Sequence, residues 1–254
     1  MKKIYFIATC CLAMCLSAYS IDRGTEKGHE WVDLGLPSGT KWATCNVGAK
    51  NPQEYGNYYA WGEVTTKEDY TWDTYKYGSS KNGVSSDQLT KYNIESRYGK
   101  NGFADGKTVL ELEDDAAHFN WGGKWRMPTR AQQDELREQC YWVRTESYNG
   151  SGVKGYIVYK AKSSSDKGKN MLMHTPSSSY TLSDAHIFLP AAGCHGYVGH
   201  YAAGFIGYYW SSSLKAHIPD DAWGVYFSSG SVNNYAGCGG RFGGQSVRAV
   251  IPGE

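Results

Sequence analysis

The stretch Trp125-Arg-Met-Pro-Thr-Arg-Ala-Gln-Gln-Asp-Glu-Leu-Arg-Glu-Gln139 contains the clearest helix start in the chain. Thr129 lies three residues before Gln132, so the threonine side chain can cap the helix start while the glutamine side chain bonds back to the threonine backbone. We therefore predict a helix from Arg130 to Gln139.

A second helix is predicted just before this one, from Thr108 to Asn120. Its first half carries the acidic run from Glu111 to Asp115, and negative charge near a helix start is stabilised by the helix dipole. We interpret the run as solvated charge at a helix start. A calcium site or a pair of catalytic carboxylates is the alternative.

Short alternating or apolar runs, typical of strands, lie on both sides of the two helices. Strands, then two central helices, then strands again predict an α+β fold with antiparallel sheets. We place residues 30–252 in a single domain, after a short N-terminal segment of residues 21–29. The runs with strand character are Trp31–Leu36, Thr40–Val47, Tyr55–Gly62, Leu89–Ile94, Tyr141–Thr145, Gly155–Ala161, Asn170–Met173, Ile187–Pro190, Gly207–Ser212, Ala222–Phe227 and Ser246–Val250.

The first twenty residues are typical of a secretory signal peptide. Lys2 and Lys3 precede an apolar run, and Ala18 and Ser20 are small residues in the positions that a signal peptidase needs. We predict cleavage after Ser20 and a secreted or outer-surface location. A lipoprotein attached through Cys15 is the less favoured alternative.

Charge balance excludes one class of partner. Removal of Lys2 and Lys3 takes two of the 26 basic side chains and leaves the chain near neutrality against its 25 acidic ones. Nucleic-acid binding depends on a basic surface that displaces counterions from phosphates, so no nucleic-acid partner is expected. No apolar run reaches the length of a membrane span, and none is predicted.

Four cysteines remain after the leader is removed, an even number in an oxidising compartment. Three pairings are open. We favour Cys45–Cys140 together with Cys194–Cys238, because Cys194 and Cys238 both lie in Gly-rich turns. The cysteines are too far apart in sequence for a zinc site, and no metal or other cofactor is predicted.

Eight sequence blocks, in this order, resemble the Fibrobacter succinogenes major paralogous domain family of secreted bacterial proteins. The resemblance covers about Glu30 to Ile251 and implies a fold related to C-type-lectin-like and formylglycine-generating-enzyme-like domains. The blocks are Trp42-Ala-Thr-Cys-Asn-Val-Gly-Ala49, Tyr58-Tyr-Ala-Trp-Gly-Glu63, Asp114-Asp-Ala-Ala117, Trp121-Gly-Gly123, Trp125-Arg-Met-Pro-Thr129, Phe188-Leu-Pro-Ala-Ala-Gly193, Tyr209-Trp-Ser-Ser-Ser213 and Gly244-Gln-Ser-Val-Arg248.

The activities of those related folds do not carry over to this chain. The residues around Cys194 and Cys238 do not match the copper-binding cysteine motif of the sulfatase-modifying enzymes. The Glu-Pro-Asn, Gln-Pro-Asp and Trp-Asn-Asp triplets of calcium-dependent lectins do not occur. The resemblance therefore implies a fold, and no enzyme activity is expected.

The C-terminal loops are the best candidate for a binding surface, because they are rich in aromatic and Asn side chains, a mixture that binding surfaces favour. We interpret Trp210 and Trp223 as core residues. His195, His200, His217, Asp220 and Asp221 are considered as a metal site, but their spacing fits no metal signature. The candidate binding residues are Tyr201, Asn233, Asn234, Tyr235 and Arg241.

These patterns together predict a secreted or cell-surface binding module without catalytic activity, which recognises a glycan or an extracellular protein. One alternative is a structural or tip subunit of a surface appendage. The other is an enzyme such as a hydrolase, whose mark would be a deep pocket with two or more ionisable groups of shifted pKa.

Overall fold

The computed structural model describes residues 22–80, 87–171, 177–236 and 240–253, without the side chains of residues 170, 171 and 234–236. The protein is an α+β fold built mostly from antiparallel sheets. Its strands and helices, in chain order, are β1 (Arg23–Glu26), β2 (His29–Asp33), β3 (Lys41–Ala43), β4 (Tyr58–Tyr59), α1 (Ala116–Trp121), α2 (Arg130–Gln139), β5 (Cys140–Thr145), β6 (Gly155–Lys160), β7 (Asn170–Met171), β8 (His186–Pro190), β9 (Cys194–Gly196), β10 (Gly199–Tyr201), β11 (Gly207–Leu214), β12 (Ala222–Ser228), β13 (Ser231–Ala236), β14 (Gln245–Ser246) and β15 (Val250–Ile251).

The first sheet joins the two ends of the described chain, in the order β1-β2-β3-β15. All its pairings are antiparallel, and Val250 of β15 lies opposite Trp42 of β3. The turn between β1 and β2 is Lys27-Gly28, and both residues have positive φ, of 51° and 81°. Two central residues with positive φ match the right-handed twist of the strands they connect.

The second sheet has the order β13-β12-β11-β14-β4, and β11 pairs with β14 in parallel. Indole groups link its strands across the core. Trp61 donates from Nε1 to the Ser211 carbonyl, and Trp210 donates to the Tyr59 carbonyl. Trp210 is fully buried, which confirms its predicted place in the core.

The third sheet has the order β7-β5-β6-β8 and is antiparallel except for the β5–β7 pair. Beyond it, β9 and β10 form a separate hairpin. This hairpin is attached to the second sheet by two backbone hydrogen bonds between His195 and Gly244, of 2.8 and 2.9 Å.

Helix α2 confirms the sequence prediction at both ends. The Thr129 side chain accepts from the Gln132 backbone at 3.3 Å, and the Gln132 side chain accepts from the Thr129 backbone at 2.9 Å. Inside the molecule, Gln133 donates to the carbonyls of Tyr209 and Trp210. The helix is thereby fixed to the second sheet.

The other predicted helix is much shorter than expected. It begins at Ala116, because Asp115 is its N-cap and accepts hydrogen bonds from the backbones of Ala117 and His118. The second carboxylate oxygen of Asp115 accepts from the Met127 backbone at 2.8 Å. One buried side chain therefore starts α1 and fixes the chain that leads into α2.

The predicted Cys45–Cys140 disulfide is wrong, because both residues are free thiols. Cys140 begins β5, whereas Cys45 lies near Tyr148, beyond the other end of that strand, and is close enough to act on its pKa. Five residue steps along a strand cover about 17 Å, and a disulfide needs Cα atoms within about 7 Å.

Cys194 is disulfide-bonded. Its predicted partner, Cys238, lies outside the described residues, so the Cys194–Cys238 pairing stays a prediction.

Candidate ligand-binding groove

The predicted binding residues do not converge on one surface. Tyr201 ends the β9–β10 hairpin, which adjoins β14, whereas Asn233 lies in the edge strand β13. Two strands separate β13 from β14, and neighbouring strands are about 4.8 Å apart, so the two elements are roughly 14 Å apart. The side chains of Asn234 and Tyr235 lie outside the described part of the structure.

Arg241 is a structural residue rather than a binding residue. Its side chain is fully buried and donates to the Tyr75 hydroxyl and to the carbonyls of Lys91, Tyr92 and Pro219. These acceptors come from separate loops, so the guanidinium group joins the long loops to one another. It does not reach a surface where a ligand could bind.

Asn233 lies beside a broad, open depression between α2 and strands β12 and β13. The expectation that Trp223 belongs to the core is wrong, since Trp223 is only half-buried and lines this depression. The Arg130 guanidinium lies 3.7 Å from the centroid of a Trp223 ring. Nζ of Lys215 lies 5.7 Å from a Trp223 ring centroid as well, so a ligand would have to compete with two cations for this ring.

A better-formed site is a groove around Thr44, which shares no lining residue with the depression beside Asn233. Two hollows, of about 470 Å³ and 210 Å³, share Thr44 and Pro52 as lining residues. We call the two together the Thr44 groove. Its larger half alone lies within the usual range for small-molecule sites.

The larger half is flanked by an aromatic stack. The imidazole of His29 lies flat on the indole of Trp121, with 3.9 Å between centroids and 10° between planes. Trp121 in turn packs edge-on against the buried Trp125, which donates from Nε1 to the Glu26 carbonyl at 2.8 Å. The turn between β1 and β2 is thereby held against α1, and burial lowers the pKa of His29.

Polar groups line the rest of this half. They come from the turn before β2 and from the loop after β3, where the Thr44 backbone still bonds to the Glu30 carbonyl at 3.1 Å. The free thiol of Cys45 also lines the hollow, within 3.6 Å of the Thr44 hydroxyl. The polar lining residues are Glu30, Thr44, Cys45, Lys50 and Asn51.

The smaller half has its own stacked pair. Tyr148 lies on Phe188 with 4.1 Å between centroids and 3° between planes. The Tyr148 hydroxyl lies 2.9 Å from Nε2 of His186, whose Nδ1 is 2.8 Å from the Asp184 carbonyl. Burial lowers the pKa of His186 and raises that of Tyr148, so both groups are neutral near pH 7.

Arg248 holds the walls of the groove together from below. Its buried guanidinium donates to the carbonyls of Ala43 and Thr44 on one wall and of Phe188 on the other, at 2.8–3.1 Å. Its Nε donates to Oδ1 of Asn46. The first and third sheets therefore keep a fixed spacing at the groove, and a ligand would meet a preformed site.

The groove carries more positive than negative charge. Arg23 lines the smaller half. Its charge adds to the effect of burial in lowering the pKa of His186. For Tyr148, burial raises the pKa and the Arg23 charge opposes that effect. Lys50 lines the larger half. Among the described lining residues, Glu30 is the one carboxylate.

The acidic run surrounds a lysine. The Lys91 ammonium lies 2.8 Å from Glu111, 3.0 Å from Glu113 and 2.5 Å from Asp114. It occupies the position that a metal ion would take in such a cluster. Although burial raises the pKa of Asp114, its bonds to Lys91 and two tyrosine hydroxyls outweigh that effect and lower it. Asp114 is therefore part of the packed structure, whereas Asp115 caps the start of α1 and Glu113 remains 73% exposed, as expected for charges at a helix start.

The considered histidine and aspartate site is not assembled. His195 and His200 stack at 4.6 Å, while Asp221 lies beside Lys215 at 3.5 Å. Within the described ranges, no group of three potential metal ligands includes any of them.

Comparisons with protein-family models, curated proteins and solved structures find no match for the chain. None of the helices in the described ranges combines the length and the apolar character that a membrane span requires.

Sequence reasoning missed the groove because its residues are scattered along the chain. The one local signal is Lys27-Gly28, a two-residue turn that indicates a hairpin between β1 and β2. The sequence places the segment 21–29 before the domain, yet Gly28 and His29 of this segment line the larger half.

Proposed function

We propose that this protein is a non-catalytic binding module that holds a saccharide in the Thr44 groove. The observation that carries the proposal is a preformed polar groove with an aromatic stack beside its larger half. Proteins hold sugars by packing their C–H faces on aromatic rings and by hydrogen bonds from amide, carboxylate and hydroxyl groups. In the larger half, the His29–Trp121 stack supplies the aromatic surface, Asn51 supplies the amide and Glu30 supplies the carboxylate.

A C-type-lectin-like scaffold, and membership of the Fibrobacter succinogenes major paralogous domain family, belong to the same proposal. The α+β fold with two helices and the capped start of α2 support it. The proposed export also fits, since a glycan or extracellular protein would be met outside the cell. The proposed leader, with cleavage after Ser20, lies outside the described residues.

The test is a glycan array probed with the chain from Ile21 onward, followed by titration of each hit. Nuclear magnetic resonance then maps the binding site through the indole N–H signals. We expect the largest shift at Trp121, and about tenfold weaker binding by Trp121→Ala. Trp223→Ala is the matched control, because Trp223 lies outside the groove.

Asn51→Ala guards against misfolding, since Asn51 is exposed and Trp121 packs on the core. It should weaken binding while leaving the thermal unfolding temperature near the wild-type value. A blank array with the folded protein would contradict saccharide binding. Shifts confined to the β9–β10 hairpin or to the Asn233 depression would contradict the groove.

A structural or tip subunit is the second candidate, and the β9–β10 hairpin favours it. Val198 is 81% exposed and Tyr197 is 54% exposed at its tip, while Phe205 nearby is 68% exposed. Apolar side chains presented to solvent are common in protein interfaces. If this candidate holds, the protein self-associates at high concentration and Val198→Ser abolishes the association, whereas Trp121→Ala does not.

A further inference from the structure

We infer that the saccharide held in the Thr44 groove carries a carboxylate, as uronic acids and sialic acids do. The inference rests on the proposed function and concerns which class of sugar the groove selects. It comes from two cations, Arg23 and Lys50, that line the two halves on either side of Thr44 and Pro52.

Both cations are exposed, and within the described residues neither forms a side-chain salt bridge. The carboxylate of Glu54 accepts from the Lys50 backbone N–H at 2.7 Å, and that hydrogen bond and the Lys50 charge help to lower the pKa of Glu54. Arg23 is therefore the more available of the two cations. By contrast, the neighbouring Lys160 is paired with Asp22 at 2.6 Å. A cation without an internal partner gains most from an anionic ligand, because no existing bond is lost on binding.

The planar geometry of the Arg23 guanidinium group also favours a carboxylate over a monatomic anion. The guanidinium group presents paired N–H donors in a plane, which matches the two oxygens of a carboxylate. Arg23 projects from β1 beside the Tyr148 ring. The groove thus combines a planar cation with stacked rings in one half and a second cation with stacked rings in the other.

The charges of the lining residues also favour a ligand carboxylate in the smaller half. Glu30 lies in the larger half only, and no carboxylate lines the smaller half among the described residues. A ligand carboxylate placed beside Arg23 would therefore meet Arg23 and neutral groups, since burial keeps His186 and Tyr148 uncharged near pH 7. Glu30 remains available for a sugar hydroxyl at the other end.

The test compares each acidic sugar with its methyl ester, which removes the charge and keeps the rest of the sugar. A short oligogalacturonate is titrated against its fully methyl-esterified form, and sialyllactose is titrated against the methyl ester of its sialic acid. We expect the charged member of at least one pair to bind ten times more tightly or better. The pair that shows the difference identifies a uronic or a sialic acid. Raising the salt concentration should weaken binding of the acid and leave the ester unchanged.

The variants Arg23→Gln and Lys50→Gln test the site. Arg23→Gln should weaken binding of the acid about tenfold and change binding of the ester by less than about twofold. Lys100→Gln is the matched control, because Lys100 is an exposed lysine that lines neither half of the groove. Arg23 and Lys50 both lie at the surface, so these variants should fold.

The outcomes separate the two proposals. Equal binding of acid and ester, lost in Trp121→Ala, overturns the inference and leaves the saccharide-binding function standing. Absence of binding to every saccharide overturns both. Binding of the acid that Arg23→Gln and Lys50→Gln leave intact overturns the inference, as does a preference for an acidic peptide over all saccharides.

Discussion

Nζ of Lys91 lies 2.5 Å from Oδ2 of Asp114, a carboxylate that is only 3% exposed. Two further carboxylates surround the same ammonium. Lys91→Ala leaves this negative charge without its central cation, and breaking such a buried pair costs about 3 kcal/mol. Urea unfolding should show that loss, while Lys100→Ala changes the free energy of unfolding by less than about 0.5 kcal/mol.

The same variant should acquire sensitivity to calcium. Without Lys91, the oxygens of Glu111, Glu113 and Asp114 still lie close together. They keep the flanking pairs with Lys76 and Lys107, and hard cations prefer oxygen ligands. Thermal unfolding of Lys91→Ala should therefore shift upward in millimolar calcium, whereas the wild type should not shift. A wild-type protein that calcium stabilises would contradict the view that Lys91 takes the place of a metal ion.

Arg248 is expected to be among the most sensitive positions in the chain. Its loss leaves three buried carbonyls and the Asn46 side chain without their donor. Each unsatisfied buried group costs roughly 1–3 kcal/mol, so Arg248→Met should lower the free energy of unfolding by at least about 3 kcal/mol. Arg248→Lys should not restore stability, since an ammonium group lacks the planar spread of donors.

Stability should depend on pH through one buried histidine, His186, and two partly buried ones. Burial lowers the pKa values of His29, His186 and His195 from the ordinary 6.5. Below 6.5 the unfolded chain therefore binds protons that the folded state resists, and the free energy of unfolding falls as the solution is acidified. Denaturant titrations from pH 8 to pH 5 should show this decline.

His186→Gln identifies the contribution of one histidine. It removes a group that titrates while keeping an amide able to bond near Tyr148. Any difference from the wild type at pH 8 reflects packing alone, because the histidine is neutral there. The variant should lose less stability between pH 8 and pH 5 than the wild type, and an equal loss would show that His186 does not contribute.

The two free thiols should differ in reactivity. Cys45 is partly exposed in the groove, whereas Cys140 is buried and its thiol pKa is raised by that burial. Iodoacetamide should label Cys45 in the native protein and Cys140 only after denaturation. Peptide mapping without a reducing agent would refute the structure at this point if it found the two residues joined.

The sequence predicts those helices and strands whose limits are set by residues within the same segment. The Thr129–Gln132 capping box determines where α2 begins, and alternation of apolar residues gives β5 and β12. Strand β13 lies in the Asn-rich stretch that the sequence pattern predicts as a loop, and Asn is uncommon in strands. Pairing with β12 stabilises it at the sheet edge in spite of that preference.

Placement of the binding site depends on contacts that no local pattern reveals. Tyr201 and Asn233 look alike as candidates in the sequence, yet the order of strands separates them. The burial of Arg241 and Arg248 could not be predicted from sequence either, because it depends on carbonyls supplied by distant loops. The groove requires Arg23 and His186 to meet across two sheets, which only the tertiary fold decides.

The pairing of β15 with β3 means that the groove forms late during synthesis. Strand β3 is made long before its neighbour Val250. Arg248, whose guanidinium donates to the Thr44 carbonyl, follows that threonine by 204 positions in the chain. A nascent chain that has not yet reached β15 therefore lacks both the strand beside β3 and the cation beneath the Thr44 groove.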